Sequence, residues 1–477
     1  MVYLLQTQVR MRLRSLIILS LYLLGSLGLH AQEIQDKYKE KPYVEFSGPK
    51  WLSNATLYEL NVRQFSKEGT FKAVENELPR LKKMGIDIIW LMPIHPIGEK
   101  NRKGSLGSYY SVKDYYGVNP EFGTSQDFQD LVNAIHKEGM KVIIDWVANH
   151  TSWDNPLVEA HPDWYIRSRE GKFQSTPWRD YDDIIDLDYS NPELRAYMSE
   201  AMKYWVKTYD IDGFRADVAS FVPLDFWETI REELETIKPV FLLAESQDRE
   251  LHRKAFDATY SWELWNVLHK ISTERTPIHP LTEGYIAEHV SIFPKQGIRL
   301  LFTENHDKNS WEGNAHDNFK EALALSIMLT VTLDGMPLVY NGQEAGLNRS
   351  LAFFEKDPIE WKAHPHKELF TKLFELKHRN KALWNGKWGG EMIRIKNSDP
   401  SKVLSFVREK EGDKVLVFAN LNPNTRKVQF ETHLDRGDYY NWFTQEKMHL
   451  NSTHNIEMKP WSYTLLSTTK PTAVQHD

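Results

Sequence analysis

The sequence predicts an α/β protein: a (β/α)8 TIM barrel, a small subdomain inserted after the third strand, and an antiparallel β-sandwich at the C-terminal end. Three observations predict it. From about residue 55 to 385, short apolar runs rich in β-branched residues alternate with helical patterns, as parallel strands joined by crossover helices require. Eight such runs can be counted, which suits a closed barrel better than an open sheet. Beyond about residue 386 the helical pattern stops, and short alternating runs separated by Gly, Asn, Asp and Pro take over. The 477 residues are enough for a barrel of about 250 residues or more plus an accessory module.

The chain opens with Arg10, Arg12 and Arg14, an apolar run from Leu16 to Leu29, and small Ala31 before Gln32. This reads as a signal peptide over residues 1–31, which implies export to the periplasm or the exterior, with Met11 as an alternative start. The apolar run is shorter than the roughly 20 residues that a bilayer span needs, so no stable membrane span is expected after cleavage. The formal net charge is −7, and loss of the three arginines leaves −10, a surface that repels phosphate backbones and argues against nucleic acid as partner. Absence of cysteine excludes disulfides and thiol nucleophiles. No sequence pattern bears on oligomeric state.

The predicted barrel domain spans residues 32–386, with strands at Leu57–Val62, Ile86–Met92, Lys141–Trp146, Gly213–Asp217, Val240–Glu245, Asp257–Trp262, Ile298–Thr303 and Leu338–Tyr340. Helical patterns between them include Phe71–Met84, Ser125–Glu138, Pro192–Tyr209, Leu224–Ile237, Phe319–Thr332 and His366–Asn380. Two connections are long, Pro93–Thr124 and residues 149–190, and both follow strand C-terminal ends, where this architecture builds active sites. The second holds Trp153, Trp164, Tyr165, Trp178 and Tyr181, an aromatic set that serves either a local core or sugar stacking. The sandwich is expected over residues 387–477, with strands near Met392–Lys396, Val403–Arg408, Lys414–Ala419, Arg426–Phe430, Tyr439–Trp442 and Ser462–Leu466.

Four of the barrel strands end in polar clusters. The third runs apolar into Asp145-Trp-Val-Ala-Asn149-His150. The fourth carries Arg215 and Asp217 two residues apart, hence on one face of a strand, where the cation keeps the carboxylate ionised, as a nucleophile must be. The fifth ends in Glu245 after five apolar residues, and desolvation there raises a carboxyl pKa toward that of a general acid. The seventh ends in Asn305-His306-Asp307. Each cluster alone is better read as structural, but three carboxylates and two histidines converging on one rim are hard to explain that way, because like charges held close cost stability. Paired carboxylates of this kind hydrolyse glycosides with retention when about 5–5.5 Å apart and with inversion when wider.

These motifs resemble those of the alpha-amylase family of glycoside hydrolases over roughly residues 50 to 470. Asp145 to His150 is similar to the family's Asp-x-Val-x-Asn-His, Gly213 to Asp217 to its Gly-Phe-Arg-x-Asp, Glu245 to its strand-ending Glu and Asn305-His306-Asp307 to its Asn-His-Asp. Asp186-Leu-Asp188 and the segment Gly335 to Glu344 match two further motifs. The resemblance implies Asp217 as nucleophile, Glu245 as general acid/base and Asp307 as the carboxylate that binds and distorts the sugar, with Arg215, His150 and His306 holding sugar or nucleophile. It implies a stacking tyrosine at Tyr110, with Tyr109 as the alternative. It also implies a structural Ca²⁺ held through Asn149 and Asp186, and no organic cofactor.

The expected substrate is an α-glucan or maltooligosaccharide. Asp186-Leu-Asp188 resembles the alpha-amylase form of its motif rather than the Lys-Leu-Asn of neopullulanase-like members, which favours α-1,4 bonds. Ser220-Phe221 departs from the family's Lys-His and puts in doubt one calcium ligand and a contact on the leaving-group side. A cyclomaltodextrinase, a transglycosylase or an inactive α-glucan binding protein are the competing readings.

Overall fold

The computed structural model describes residues 42–176, 181–433 and 435–472. The predicted export segment and Trp178 lie outside them. Among the described residues no helix is long and apolar enough to cross a membrane.

Eight parallel strands close into a barrel: β1 (Leu57–Leu60), β2 (Ile88–Leu91), β3 (Lys141–Trp146), β6 (Gly213–Ala216), β7 (Phe241–Ala244), β8 (Ala258–Tyr260), β9 (Ile298–Leu301) and β10 (Met336–Tyr340). Between β3 and β6 lies a small hairpin of β4 (His150–Ser152) and β5 (Ile184–Asp186). Helices cover the barrel outside, so its strands are buried on both faces and read as apolar runs rather than alternating ones. Gly213 shows why the fourth barrel strand starts on glycine. Its φ is +148°, and a Cβ there would lie 1.9 Å from the Phe241 carbonyl oxygen of the neighbouring strand.

Beyond the barrel, β11 (Glu391–Arg394), β12 (Val403–Lys410), β13 (Asp413–Asn420), β15 (Gly437–Asn441), β16 (Lys447–Leu450) and β18 (Tyr463–Ser467) form a six-stranded antiparallel sheet. The pair β14 (Arg426–Glu431) and β17 (Thr453–Met458) packs on one of its faces through a core that includes Val403, Val407, Phe418, Val428 and Phe430. Alternate residues Leu404, Phe406, Val415 and Val417 join the core of the barrel. The sandwich is thus bound to the barrel by the period of two in its strands.

Several predicted elements change. The first barrel helix breaks into Phe71–Glu75 and Leu78–Met84, because Pro79 has no N–H to give and starts a new helix. The sixth strand stops at Tyr260, and Trp262 opens a helix to Glu274 whose buried Leu264, Trp265, Leu268 and Ile271 have helical spacing. The Phe319–Thr332 pattern divides at Lys320, which adopts φ +49°, before a helix over Leu323–Thr332. Strands β16 and β17 went unpredicted because each buries few residues and so shows little apolar alternation.

Candidate active site

The polar cluster sits at the C-terminal ends of the barrel strands and centres on Arg215, whose side chain is fully buried. Asp145 and Arg215 are direct neighbours in the β3–β6 register. One terminal nitrogen, Nη1, donates to Asp145 Oδ1 at 2.8 Å and to Asp217 Oδ1 at 2.8 Å. The other, Nη2, pairs with Glu245 Oε2 at 2.9 Å, and Nε donates to the Tyr260 hydroxyl at 3.3 Å. One guanidinium therefore serves three carboxylates, which would leave excess negative charge if all three were ionised.

That excess has consequences for protonation. Burial pushes the Glu245 carboxyl up to about 8, aided by the negative charges of Asp217 and Asp307 and opposed by Arg215. Burial and Asp217 likewise raise Asp145 against the pull of Arg215. Glu245 Oε2 also accepts the backbone N–H of Val218 at 2.7 Å. Val218 stands at φ +38°, a region that β-branched residues rarely enter, so the residue after Asp217 is held in strained backbone by the neighbouring acid.

The two histidines approach from opposite sides. His150 Nε2 lies 4.0 Å from Asp217 Oδ2 and, although buried, has no hydrogen-bond partner among the described residues. His306 bonds through Nδ1 to Glu59 and through Nε2 to the Tyr110 hydroxyl at 2.9 Å, with Asp307 Oδ1 at 3.3 Å. Burial alone would lower the His306 pKa, but Asp307 and Glu59 lift it to about 9, so it is a cation at neutral pH. Asp307 is the most exposed of the three candidate catalytic carboxylates, at 31 %, against 10 % for Asp217 and 16 % for Glu245.

Of the two adjacent tyrosines, Tyr110 reaches the cluster. Its hydroxyl donates to Asp145 Oδ2 at 3.1 Å, and its ring stacks on His306 at 5.3 Å between centroids. Tyr109 is buried as an anchor, with the Arg63 guanidinium 4.2 Å above its ring. The same Arg63 donates to the carbonyls of Leu106 and Gly107 and pairs with Glu121, which fixes the loop that presents Tyr110.

Asn149 and Asp186 also meet, across the base of the β4–β5 hairpin. The Asn149 amide nitrogen donates to Asp186 Oδ1 at 3.3 Å, and the Thr176 hydroxyl donates to the same carboxylate. With the amide in this orientation its nitrogen, not its oxygen, faces the carboxylate, so the pair fits a hard cation only with that amide turned over.

All nine residues singled out in the sequence fall into these two neighbouring groups. Glu59 was missed. Its signal was a single carboxylate inside the otherwise apolar run Leu57-Tyr-Glu-Leu60, a strand buried throughout. An aromatic ridge was also missed: Phe353 lies 6.3 Å from Tyr110 and nearly parallel, and Trp311, 52 % exposed, lies 5.3 Å from Phe353. These positions lie far apart in sequence and carry no local pattern.

Residues 53–415 match the model of the alpha amylase catalytic domain, and residues 393–465 match the maltogenic amylase C-terminal domain. Alpha-amylase 3 of Dictyoglomus thermophilum is 26 % identical, over 83 % of this chain and 90 % of that protein. A maltogenic alpha-amylase of Bacillus acidopullulyticus is 25 % identical, over 90 % of this chain and 80 % of its own. Among solved structures, a maltogenic alpha-amylase from Thermotoga neapolitana superposes with a TM-score of 0.79 at 32 % identity, covering 87 % of this chain and 99 % of that one.

Proposed function

The chain belongs to the alpha-amylase family of glycoside hydrolases, and we propose that it cleaves α-1,4-glucosidic bonds of starch-type glucans or maltooligosaccharides by a retaining double displacement. The observation that carries this reading is the shared Arg215 fork, with Asp217 on one nitrogen and Glu245, whose carboxyl burial pushes up to about 8, on the other.

In the first step Asp217 Oδ2, the oxygen not engaged by Arg215, bonds to the anomeric carbon. The bond to the leaving oxygen breaks, and Glu245 gives its proton to that oxygen. Water then attacks the glycosyl-enzyme, Glu245 takes the water's proton, and Asp217 leaves as carboxylate. Asp307, His306 and His150 line the space beside the reacting carbon and bind sugar hydroxyls. The Tyr110 ring and the Trp311–Phe353 ridge supply apolar faces for glucose rings.

NMR of the first product from maltoheptaose tests the reading. An initial α-anomer of shorter chain length is expected, and an initial β-anomer overturns retention. The match to a maltogenic amylase C-terminal domain favours one second reading, transfer or ring opening in the manner of maltogenic relatives. Products longer than the substrate would select it.

Two accompanying features belong to the same proposal. A structural Ca²⁺ at Asn149 and Asp186 would tie the hairpin to β3, and a fall in Tm with EGTA, reversed by Ca²⁺ but absent in Asp186→Asn, supports it. Export follows from residues 1–31, and a mature N-terminus at Gln32 is expected by mass spectrometry.

A further inference from the structure

Three imidazoles converge away from the carboxylate rim. His316 lies on the short helix Ala315–Phe319, in the connection that follows β9. His364 caps the helix Pro365–Arg379, which follows β10, and His366 lies in its first turn. One ring nitrogen from each lies within 4.8 Å of the others. The His316 and His366 rings stack at 5.3 Å and 22°, and the His364 ring stands across His366 at 4.3 Å.

This grouping has features that packing alone does not require. The His316 ring makes no hydrogen bond to a protein group among the described residues. The His364 ring is seated against Gly346, where a Cβ would come within 2.4 Å of its Cδ2. The Gln343 carbonyl lies near the His366 ring and opposes the fall of its pKa, and a carbonyl in such a place can orient a ligating imidazole. The Gln343 side chain in turn donates to Thr303 Oγ1 at 2.9 Å, at the end of β9. His364 Nδ1 accepts the backbone N–H of His366 at 3.2 Å, so its ring is already held by the helix end.

Burial and His364 lower the pKa of His316, burial with His364 and His316 lowers that of His366 to about 4, and burial and Lys362 lower that of His364. A neutral imidazole has one ring lone pair, and that of His364 is the one accepting the His366 N–H, so an ion at this place takes it over from that hydrogen bond. The nearby charges are Asp317 beside His316 and Lys362 beside His316 and His364. Imidazole nitrogens suit Zn²⁺ and its neighbours in the first transition row and not the oxygen-seeking Ca²⁺ or Mg²⁺. Tetrahedral Zn–N bonds of about 2.0–2.1 Å place ligand atoms about 3.3 Å apart, so small rotations of the rings close the set.

We propose that His316, His364 and His366 form a site for a divalent transition ion of the Zn²⁺ class, with water in the remaining position, and that the ion clamps the seventh and eighth barrel units together. The site touches none of the carboxylates around Arg215, and its existence does not depend on the reaction proposed above.

The test uses the full chain freed of metal and titrated with ZnCl2 by calorimetry and with CoCl2 by visible absorption. One equivalent of Zn²⁺, the d–d bands of low-coordinate Co²⁺, and a rise in Tm of about 2–5 °C at saturation are expected. His316→Ala, at a half-exposed position, and His366→Gln should each remove that equivalent and the Tm rise while leaving kcat of the metal-free enzyme unchanged. No stoichiometric uptake by the folded wild-type chain overturns the proposal. Uptake undiminished in both variants does so as well, and if His366→Gln does not fold, His316→Ala alone decides.

Discussion

Two fully buried arginines make opposite use of the same chemistry. Arg408, on β12 at the junction of barrel and sandwich, donates to the carbonyls of Thr332, Leu333, Trp384 and Gly390 and pairs with one carboxylate, Asp334, at 3.3 Å. There the charges balance: burial would raise Asp334, but Arg408 and His289 outweigh it and hold its pKa below the ordinary value. Among the described residues Arg215 has no carbonyl partner and serves three carboxylates, so burial, aided by Asp217, drives Glu245 and Asp145 upward instead. The comparison teaches that burial by itself does not mark a catalytic charge. Imbalance does, because neighbouring like charges inside a protein cost stability unless the protein uses them.

The contrast is most sharply tested by Asp217→Asn. Removing one excess negative charge should lower kcat on maltoheptaose by more than about 10⁴-fold while leaving Tm unchanged or higher. A variant with near-wild-type turnover would refute the nucleophile and revive the reading of a binding protein. Arg408→Met should do the reverse. It leaves Asp334 with His289 alone, at 3.8 Å, and several buried carbonyls unpaired, so chemical denaturation should show a loss of about 3 kcal/mol with kcat of the folded enzyme intact.

A pH series sharpens the same point. If Glu245 delivers its proton as general acid, kcat/KM should fall as pH rises through about 8. Stability has the same sign. A carboxyl whose folded pKa is raised contributes fully below its unfolded value near 4.5, and that contribution is lost as pH rises through about 8. Glu245→Gln, which cannot ionise, should abolish most activity and flatten the stability profile between those limits. An unchanged profile would mean that the carboxyl is not the strained group. The smallest effect is expected for Tyr110→Phe, which loses the hydroxyl contacts to Asp145 and His306 but keeps the ring, for about a tenfold fall in kcat/KM. A loss comparable to that of Asp217→Asn would instead place Tyr110 in the chemistry.

Much of this was legible in the chain. The barrel order follows from alternating strand and helix periods, which are local properties, and Arg215 and Asp217 share a face because a strand repeats every two residues. Glu245 announced itself as one carboxylate after an apolar run. The helix at Trp262–Glu274 is legible too, in its helical spacing of apolar residues, but its start is not, because only Ser261 separates the apolar strand from Trp262. Strands β16 and β17 were not, since edge strands with little buried surface leave no apolar alternation.

The sequence by itself determined which elements form, in what order, and which strand ends carry the polar groups, because those depend on residues a few positions apart. Only the tertiary structure decided that Glu59 holds His306 across 247 residues, that Tyr110 and not Tyr109 faces the cluster, and that one guanidinium must serve three carboxylates. Those outcomes rest on distances between strands remote in the chain and on the water that the closed barrel excludes, and these arise only when the whole fold is assembled.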